Sequence, residues 1–498
     1  MNTRVFIPQA QEPTTETTAG VTDGRKLTSP VNGQKGGKPS APPHSDTANR
    51  FTRERLTKDG QLLVRHWRGE WYKFDSRRGW TSTPDGEMQE ELATFLRADS
   101  TLKNYVTTAY AGSVMLNLRA HDLCGLPGTV QMPCFLSTGE SAENWIAFAN
   151  GLLVNVLAYA TAAAQGREPI GHIRPITPDY FSLDFVDYPW NPAGATPMFT
   201  AYLNRVQPTE GGRDILQRML GLLMTNITRY EVFFQLYGFG CNGKTVLLDI
   251  QKKLMGEGNV SFVSLDGIIA RFQAWPLAFA KVNICGELPT DTGRGQYHAI
   301  EGALKDYVSG GSIEVEKKNC DKYVAKCRAR FEMATNSLPT FFDRSDGIWR
   351  RLRIIPFNEQ ITDEEKDVSL ADKIIAGEMP GIAGWALQGL AKVIARGVFE
   401  ECPEGQQMKD RHRLDCDHER QFLTDNYERG LPSDRIRGTE VYVAYQEWML
   451  GNGYRSCGAS KFNTRVEQVF PGVVFKTTRI SGALAKGFEG LRKVEMES

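Results

Sequence analysis

No C-x-x-C pair occurs anywhere in this chain, and its nine cysteines are odd in number and scattered. That argues against a zinc ribbon or a disulfide framework and suits a reducing compartment. Net charge is also lacking, with 59 Lys+Arg against 59 Asp+Glu in 498 residues. A neutral chain has no global pull towards nucleic acid or membrane, so a polyanion must be held by local basic patches. The opening "MNTRVFIPQAQEP" lacks the apolar stretch of a secretory signal. One uncharged run, 145–164, has the length of a membrane span, but Asn150-Gly151 interrupts it, and Asn155 and Thr161 are costly in hydrocarbon. Two short buried elements joined by a turn are expected there, in a soluble protein with no membrane partner.

What is present divides the chain by texture. Residues 1–50 are rich in Thr, Pro, Gly, Ser and Gln and too poor in large apolar residues to offset chain entropy, so a disordered tail is expected. An α+β domain is expected over 51–212. Within it, "LLVRHWRGEWYKF" (62–74) predicts a hairpin, and a helical pattern follows near 87–110. "RDILQRMLGLLMT" (213–225) has amphipathic helical spacing. From 231 short apolar runs alternate with helical ones, the pattern of an α/β layer on a parallel sheet. The third domain, 366–498, reads as helical, with 381–399 its clearest helix.

The chemistry centres on "LYGFGCNGKTVLLDI" (236–250). Gly238, Gly240 and Gly243 satisfy G-x-G-x-x-G, the turn of a dinucleotide-binding fold. The residues Gly238, Phe239, Gly240, Cys241, Asn242, Gly243, Lys244 and Thr245 also satisfy G-x-x-x-x-G-K-T, a loop that wraps nucleoside triphosphates. "NVSFVSLD" reads as a second strand ending in Asp266, which supports the first as a ribose-binding acid about 20 residues on. Lys244 and Thr245 favour the second: Lys244 to reach the phosphates, Thr245 to hold Mg²⁺ through its hydroxyl. A dinucleotide loop has no use for that pair, and the bland alternative is a chance Gly-rich turn.

Three apolar runs follow, each with a polar residue at its edge. "KVNICGELP" delivers Glu287, suited to orienting a water and assisting the metal, or simply an acid at a strand end. "RFEMATNSLP" delivers Asn336, suited to positioning water against a phosphate, or to capping a turn. "DGIWRRLRIIPF" presents Arg350 and Arg351 before a strand, suited to neutralising charge on a transferred phosphoryl group from a neighbouring subunit, or to a solvated face.

This ordered set resembles the superfamily 3 helicase core of phage and plasmid primase-helicases and related poxvirus-type NTPases. "GFGCNGKTVLL", "NICGELP", "EGALKDYVSGGSIEVEKK", "MATNSLP" and "GIWRRLRIIPF" carry the resemblance, and flanking stretches extend it over most of 60–490. It implies an AAA+-like P-loop ATPase core over 213–365, a preceding primase-helicase-type α+β domain, and a C-terminal helical and winged-helix domain. It also implies ATP and Mg²⁺ as cofactors, a homohexameric ring, single-stranded or forked DNA as partner, and a primase or replication-initiator protein nearby. The expected location is the cytoplasm of a bacterial or phage-infected cell. Lys244 and Thr245 match the Walker A pair, Glu287 the Walker B acid, Asn336 the sensor, and Arg351, with Arg350 second, the arginine finger. The chain departs at Gly286, where many relatives carry a second acid, and at Ser312, where they often have Asp.

DNA contact is expected from "SIEVEKKNCDKYVAKCRAR" (312–330), a hairpin with Lys317, Lys318 and Lys322 near its tip, though a solvated edge hairpin reads the same way. In the tail, Lys476, Arg479 and Lys486 belong to a basic hairpin after a helix, which suits phosphate tracking or ring docking alike. His412, Cys416 and His418 lie close in sequence without a second pair, so a charged helix is preferred to zinc. Asp184 and Asp187 lack the D-x-D spacing of two carboxylates on one strand face.

Overall fold

The apolar runs that begin at 231 form a five-stranded sheet in the computed structural model, which describes residues 41–169, 171–286, 294–316, 322–341 and 346–494. Contacts divide the chain into Met1–Pro43 and His44–Ser498; everything below lies in the second unit. The tail expected over 1–50 falls mostly outside the described residues, but His44–Phe51 is a helix that buries Ala48 and Phe51.

The strands are β1 Phe233–Tyr237, β2 Val260–Ser261, β3 Val282–Cys285, β4 Arg330–Thr335 and β5 Leu352–Pro356. Their order is β2-β3-β4-β1-β5, and every pairing is parallel. Parallel strands need crossover connections and are covered on both faces, which is why β1, β3 and β4 read as continuous apolar runs rather than alternating ones. On one face Phe234, Leu236, Val282, Ile284 and Ile355 pack beneath helices α1 Glu210–Leu223, α2 Lys244–Met255 and α4 Met379–Arg396. On the other, Phe233, Cys285, Phe331, Met333 and Ile354 pack with Ile300, Leu304 and Val308. Those three lie on helix α3, Arg294–Val308.

One core crosses the boundaries drawn at 212 and 365. Tyr202, Val206, the apolar face of α1 and Ile382, Leu387 and Leu390 of α4 belong to a single cluster. Helices α1 and α4 lie nearly backbone to backbone: a Cβ on Gly221 would stand 2.1 Å from Ala386 O, and one on Gly389 2.2 Å from Gln217 O. Only glycine permits that approach, so composition at two positions sets the helix packing.

The hairpin at 62–74 pairs Val64–Trp67 with Glu70–Asp75, and Gly79–Thr83 adds a third strand. The uncharged run 145–164 is two strands, Trp145–Phe148 and Leu152–Asn155, turning at Gly151 before a helix Val156–Ala164. Among the described residues no helix is long and apolar enough to cross a membrane. The stretch near 87–110 is a helix at Asp85–Ala98 and the start of another at Thr108–Leu118. Toward the C-terminus, helices Gly438–Gly451 and Ala459–Val469 precede a hairpin, Val474–Ile480 with Ala483–Glu489, around Phe422, Tyr445, Phe462, Val466 and Phe488.

Candidate functional site at the carboxyl edge of the sheet

All five strands point their carboxyl ends to one edge, where loops between strands and helices can carry polar groups without disturbing the core. β1 ends in register with Thr335 of β4 and Pro356 of β5. The Gly-rich loop leaves from that central position and enters α2 directly at Lys244. Its backbone takes positive φ at Gly240 (52°), Cys241 (44°) and Gly243 (83°). Cys241 is the uncommon case, since a side chain in this region costs energy that the surrounding structure must hold.

The loop is held from three sides. Asn242, buried, donates to Phe357 O at 3.2 Å, and Ile361 N donates to Cys241 O at 2.7 Å. Tyr202 in the preceding helix Pro197–Val206 donates its hydroxyl to Gly243 O at 2.9 Å. A Cβ on Gly238 would stand 2.3 Å from Phe357 O, so the first glycine is fixed by this close passage. Phe239 and Cys241 project outward and are exposed, as is Thr245.

Lys244 and Asn336, 92 residues apart, meet here. The Lys244 ammonium donates to Asn336 Oδ1 at 3.1 Å and to Gly238 O. Gly240 N reaches the same Asn336 oxygen at 3.5 Å. Asn336 follows the last residue of β4, and β4 is the immediate neighbour of β1, so the pairing follows from strand order. Burial lowers the Lys244 pKa, because its charge has exchanged water for neutral oxygens. Such a cation favours an anion brought to the loop.

β3 ends at Cys285, so Gly286 leaves the sheet at this edge. Glu287, together with Lys317 and Lys318, lies outside the described residues. Lys322 pairs with Glu314 across the hairpin at 3.2 Å, and the hairpin strands are Ser312–Val315 and Tyr323–Lys326. Arg68, from the turn at 67–70, stacks on Tyr323, 3.6 Å from the ring centroid.

The arginine pair is not brought to the loop. Arg351 precedes β5 at the amino edge, and its carbonyl accepts from Phe233 N, the start of β1, at 3.0 Å. Five residues of strand, about 15 Å, separate it from the loop of its own chain. Its guanidinium is buried against Glu231 at 2.7 Å, Ser309 Oγ at 2.9 Å and Gly347 O at 2.8 Å. Arg350, by contrast, has a 63% exposed side chain and a looser 3.4 Å contact with Glu231.

Strand order also bears on Asp266. A dinucleotide fold places its second strand beside the first. Here β3 and β4 stand between β2 and β1, and Asp266 lies outside β2 at the start of a short turn. The polar residues set aside earlier have structural partners. Asp184, buried, takes Lys281 at 3.0 Å and Arg328 at 3.2 Å; Asp187 takes Lys253 at 2.5 Å. Burial alone would raise the Asp184 pKa, but the two cations hold it below the usual carboxylate range. His412 and Cys416 contact each other in the core between Pro339 and Trp349, and the described residues contain no cluster of three or more His, Cys, Asp or Glu able to hold a metal ion. Tyr202, the Asp184 triad and the buried Glu332 were not legible as contacts. Nothing in the sequence pairs residues so far apart.

Residues 236–351 match a family described as "Family of unknown function (DUF5906)". Over 287 residues the chain is 23% identical to "Putative helicase L207/L206" of Acanthamoeba polyphaga mimivirus. The alignment covers 52% of this chain, which spans 29% of the length of that relative. A solved structure of the NrS-1 C-terminal region aligns at a TM-score of 0.48 and 12% identity, covering 86% of this chain and 97% of the other. The apo structure of NrS-1 residues 305–718 aligns at 0.42 and 16%, covering 60% and 77%.

Proposed function

We propose that this chain is an ATP-driven DNA helicase of a mobile-element replication system, built on an AAA+-like P-loop core of the superfamily 3 type. The observation that carries this is the meeting of Lys244 and Asn336 on a loop between β1 and α2, in a parallel sheet ordered β2-β3-β4-β1-β5. The helicase name of the mimivirus relative supports it.

The donors fit a triphosphate with Mg²⁺. The positive-φ loop offers its backbone N–H groups and the start of α2 to anionic oxygens. Lys244 exchanges its contact with Gly238 O for the terminal phosphates, and Asn336 keeps the ammonium in place while its amide faces the attacking water. The exposed Thr245 hydroxyl and Glu287 would hold Mg²⁺, which would offset charge on the phosphates, and Glu287 would serve as the base.

The amino-edge arginines cannot serve their own loop, so the site is completed by a neighbour in a homohexameric ring. Exposure favours Arg350 over Arg351 for that part, because Arg351 is held by three partners. The hairpin with Lys317, Lys318 and Lys322 grips single-stranded DNA by its phosphates. The C-terminal helices and hairpin are a winged-helix module, and a primase or replication-initiator protein is its partner.

ATPase rate with and without single-stranded DNA, combined with strand displacement on a forked duplex, tests this. DNA-stimulated hydrolysis that disappears in Lys244→Ala, with displacement, is expected. Hydrolysis without displacement would convert the assignment to a DNA-dependent loader or remodelling ATPase.

A further inference from the structure

β1 is an interior strand of the sheet, and one polar residue interrupts its apolar run: Gln235, fully buried. Alternation along the strand puts it on the face that carries Phe233 and Tyr237, two residues short of the strand's end. Both hydrogens of its amide are used: Nε2 donates to Thr335 Oγ1 at 2.7 Å and to Leu236 O at 3.4 Å. Its Oε1 is buried and has no hydrogen-bond partner. An orphaned acceptor costs stability that an apolar side chain of the same shape avoids. A polar group kept in a core at such a cost calls for a reason other than packing.

That reason lies one bond further on. Thr335, the last residue of β4, is buried, and its hydroxyl donates to Ser337 O. A hydroxyl has one hydrogen; with that hydrogen committed, Gln235 must be the donor, and its amide cannot turn over. The bond from Thr335 to Ser337 closes the turn that contains Asn336. Asn336 Oδ1 accepts from Lys244 at 3.1 Å and from Gly240 N at 3.5 Å. A directed series of hydrogen bonds therefore runs from β1 through Thr335 to the turn, and from Asn336 back to the loop that β1 begins. Its base is rigid, because β1 and β4 pair in register with Tyr237 opposite Thr335.

We propose that Gln235 is a positioning residue: through the Thr335 hydroxyl it sets the turn on which Asn336 stands, and so the place of the Asn336 amide over the phosphates. This rests on the loop being the phosphate cradle. Gln235 itself, being fully buried, touches no nucleotide. A small displacement of Asn336 costs more in the chemical step than in binding, since Lys244 and the loop backbone still hold the nucleotide.

Gln235→Met keeps the shape of the side chain and removes both the donor and the orphaned oxygen. The kcat for ATP hydrolysis should fall about tenfold or more, with KM and the unfolding midpoint little changed. On an Asn336→Ala background the same substitution should cost nothing further, because the group it positions is gone. Thr335 gives an independent reading should Gln235→Met not fold. Thr335→Val should lose kcat as Gln235→Met does, whereas Thr335→Ser, which keeps the hydroxyl, should retain it. A folded Gln235→Met with wild-type kcat overturns the proposal. So does an equal loss with and without Asn336, or equal kcat in Thr335→Val and Thr335→Ser. Lys244→Ala separates the two levels: if hydrolysis survives it, the loop assignment fails and the proposal with it. If it abolishes hydrolysis while Gln235→Met is as active as the wild type, only the part given to Gln235 fails.

Discussion

The two edges of the parallel sheet use charge in opposite ways. At the amino edge, charged groups hold strands to their surroundings: Arg351 to Glu231 and Ser309, Arg330 to the carbonyls of Val232 and Ile227, Lys281 and Arg328 to Asp184. Asp184 comes from the segment before the sheet, so this triad fastens that segment to the starts of β3 and β4. At the carboxyl edge the same strands deliver Lys244, Asn336 and an exposed Thr245 to a loop with strained backbone. Buried charges with partners hold the frame, and the carboxyl edge keeps a cation whose contacts are neutral.

The sharpest way to break this contrast is Asp184→Asn, which leaves Lys281 and Arg328 facing each other in the core. A loss of about 3–5 kcal/mol is expected in urea unfolding. Because the folded pKa of Asp184 is depressed, its contribution is present above the usual carboxylate range and is lost as pH falls through the folded value. At the other edge, Lys244→Ala should lower hydrolysis by about 10²–10³-fold while moving the unfolding midpoint little, as checked by single-turnover assay and thermal melting.

Glu332, in mid-β4, probes the ground between the edges. It is fully buried, accepts from Gln251 at 2.6 Å, and burial pushes its pKa up to about 7. A raised carboxyl is most stabilising when protonated, so stability should fall as pH rises from the ordinary carboxyl range to about 7. Between pH 5 and pH 8 the wild type should lose about 2–3 kcal/mol relative to Glu332→Gln. Parallel pH profiles for the two proteins would remove this explanation. The smallest effect is expected at the arginine pair. Arg351→Ala should cost about 2 kcal/mol, and Arg350→Ala under about 0.5 kcal/mol while slowing DNA-stimulated hydrolysis in the assembled protein. Equal stability losses would mean that their difference in burial has no consequence.

Much of the sheet was legible because its strands are short apolar runs bounded by polar or Gly residues: 233–237, 282–285, 330–335 and 352–356 lie inside the runs singled out from sequence. The stretch 259–266 reads as a strand ending in Asp266 and yields only Val260–Ser261, because an edge strand with few partners is not held by pairing on both sides. Lys244 and Asn336 were legible as candidates, each at the end of its strand. Their contact was not, since strand order cannot be read from local pattern. Arg351 shows the same limit: two adjacent arginines look alike in sequence, and only Glu231, Ser309 and Gly347 distinguish them. The domain boundaries at 212 and 365 followed changes of texture, whereas the apolar face of α4 completes the core begun by α1.

The sequence by itself determined the loop. Glycines that tolerate positive φ, followed by Lys and Thr at the start of an amphipathic helix, specify a strand–turn–helix unit through local conformational preference alone. Tertiary structure decided what that loop belongs to. By placing β4 beside β1 and two strands between β1 and β2, it brought Asn336 to Lys244 and left Asp266 without the position a ribose acid needs. It also sent the arginines to the opposite edge and packed Tyr202 and Val206 against the loop. Such choices come from burying apolar faces of segments distant in the chain, and no local pattern encodes which distant faces will meet.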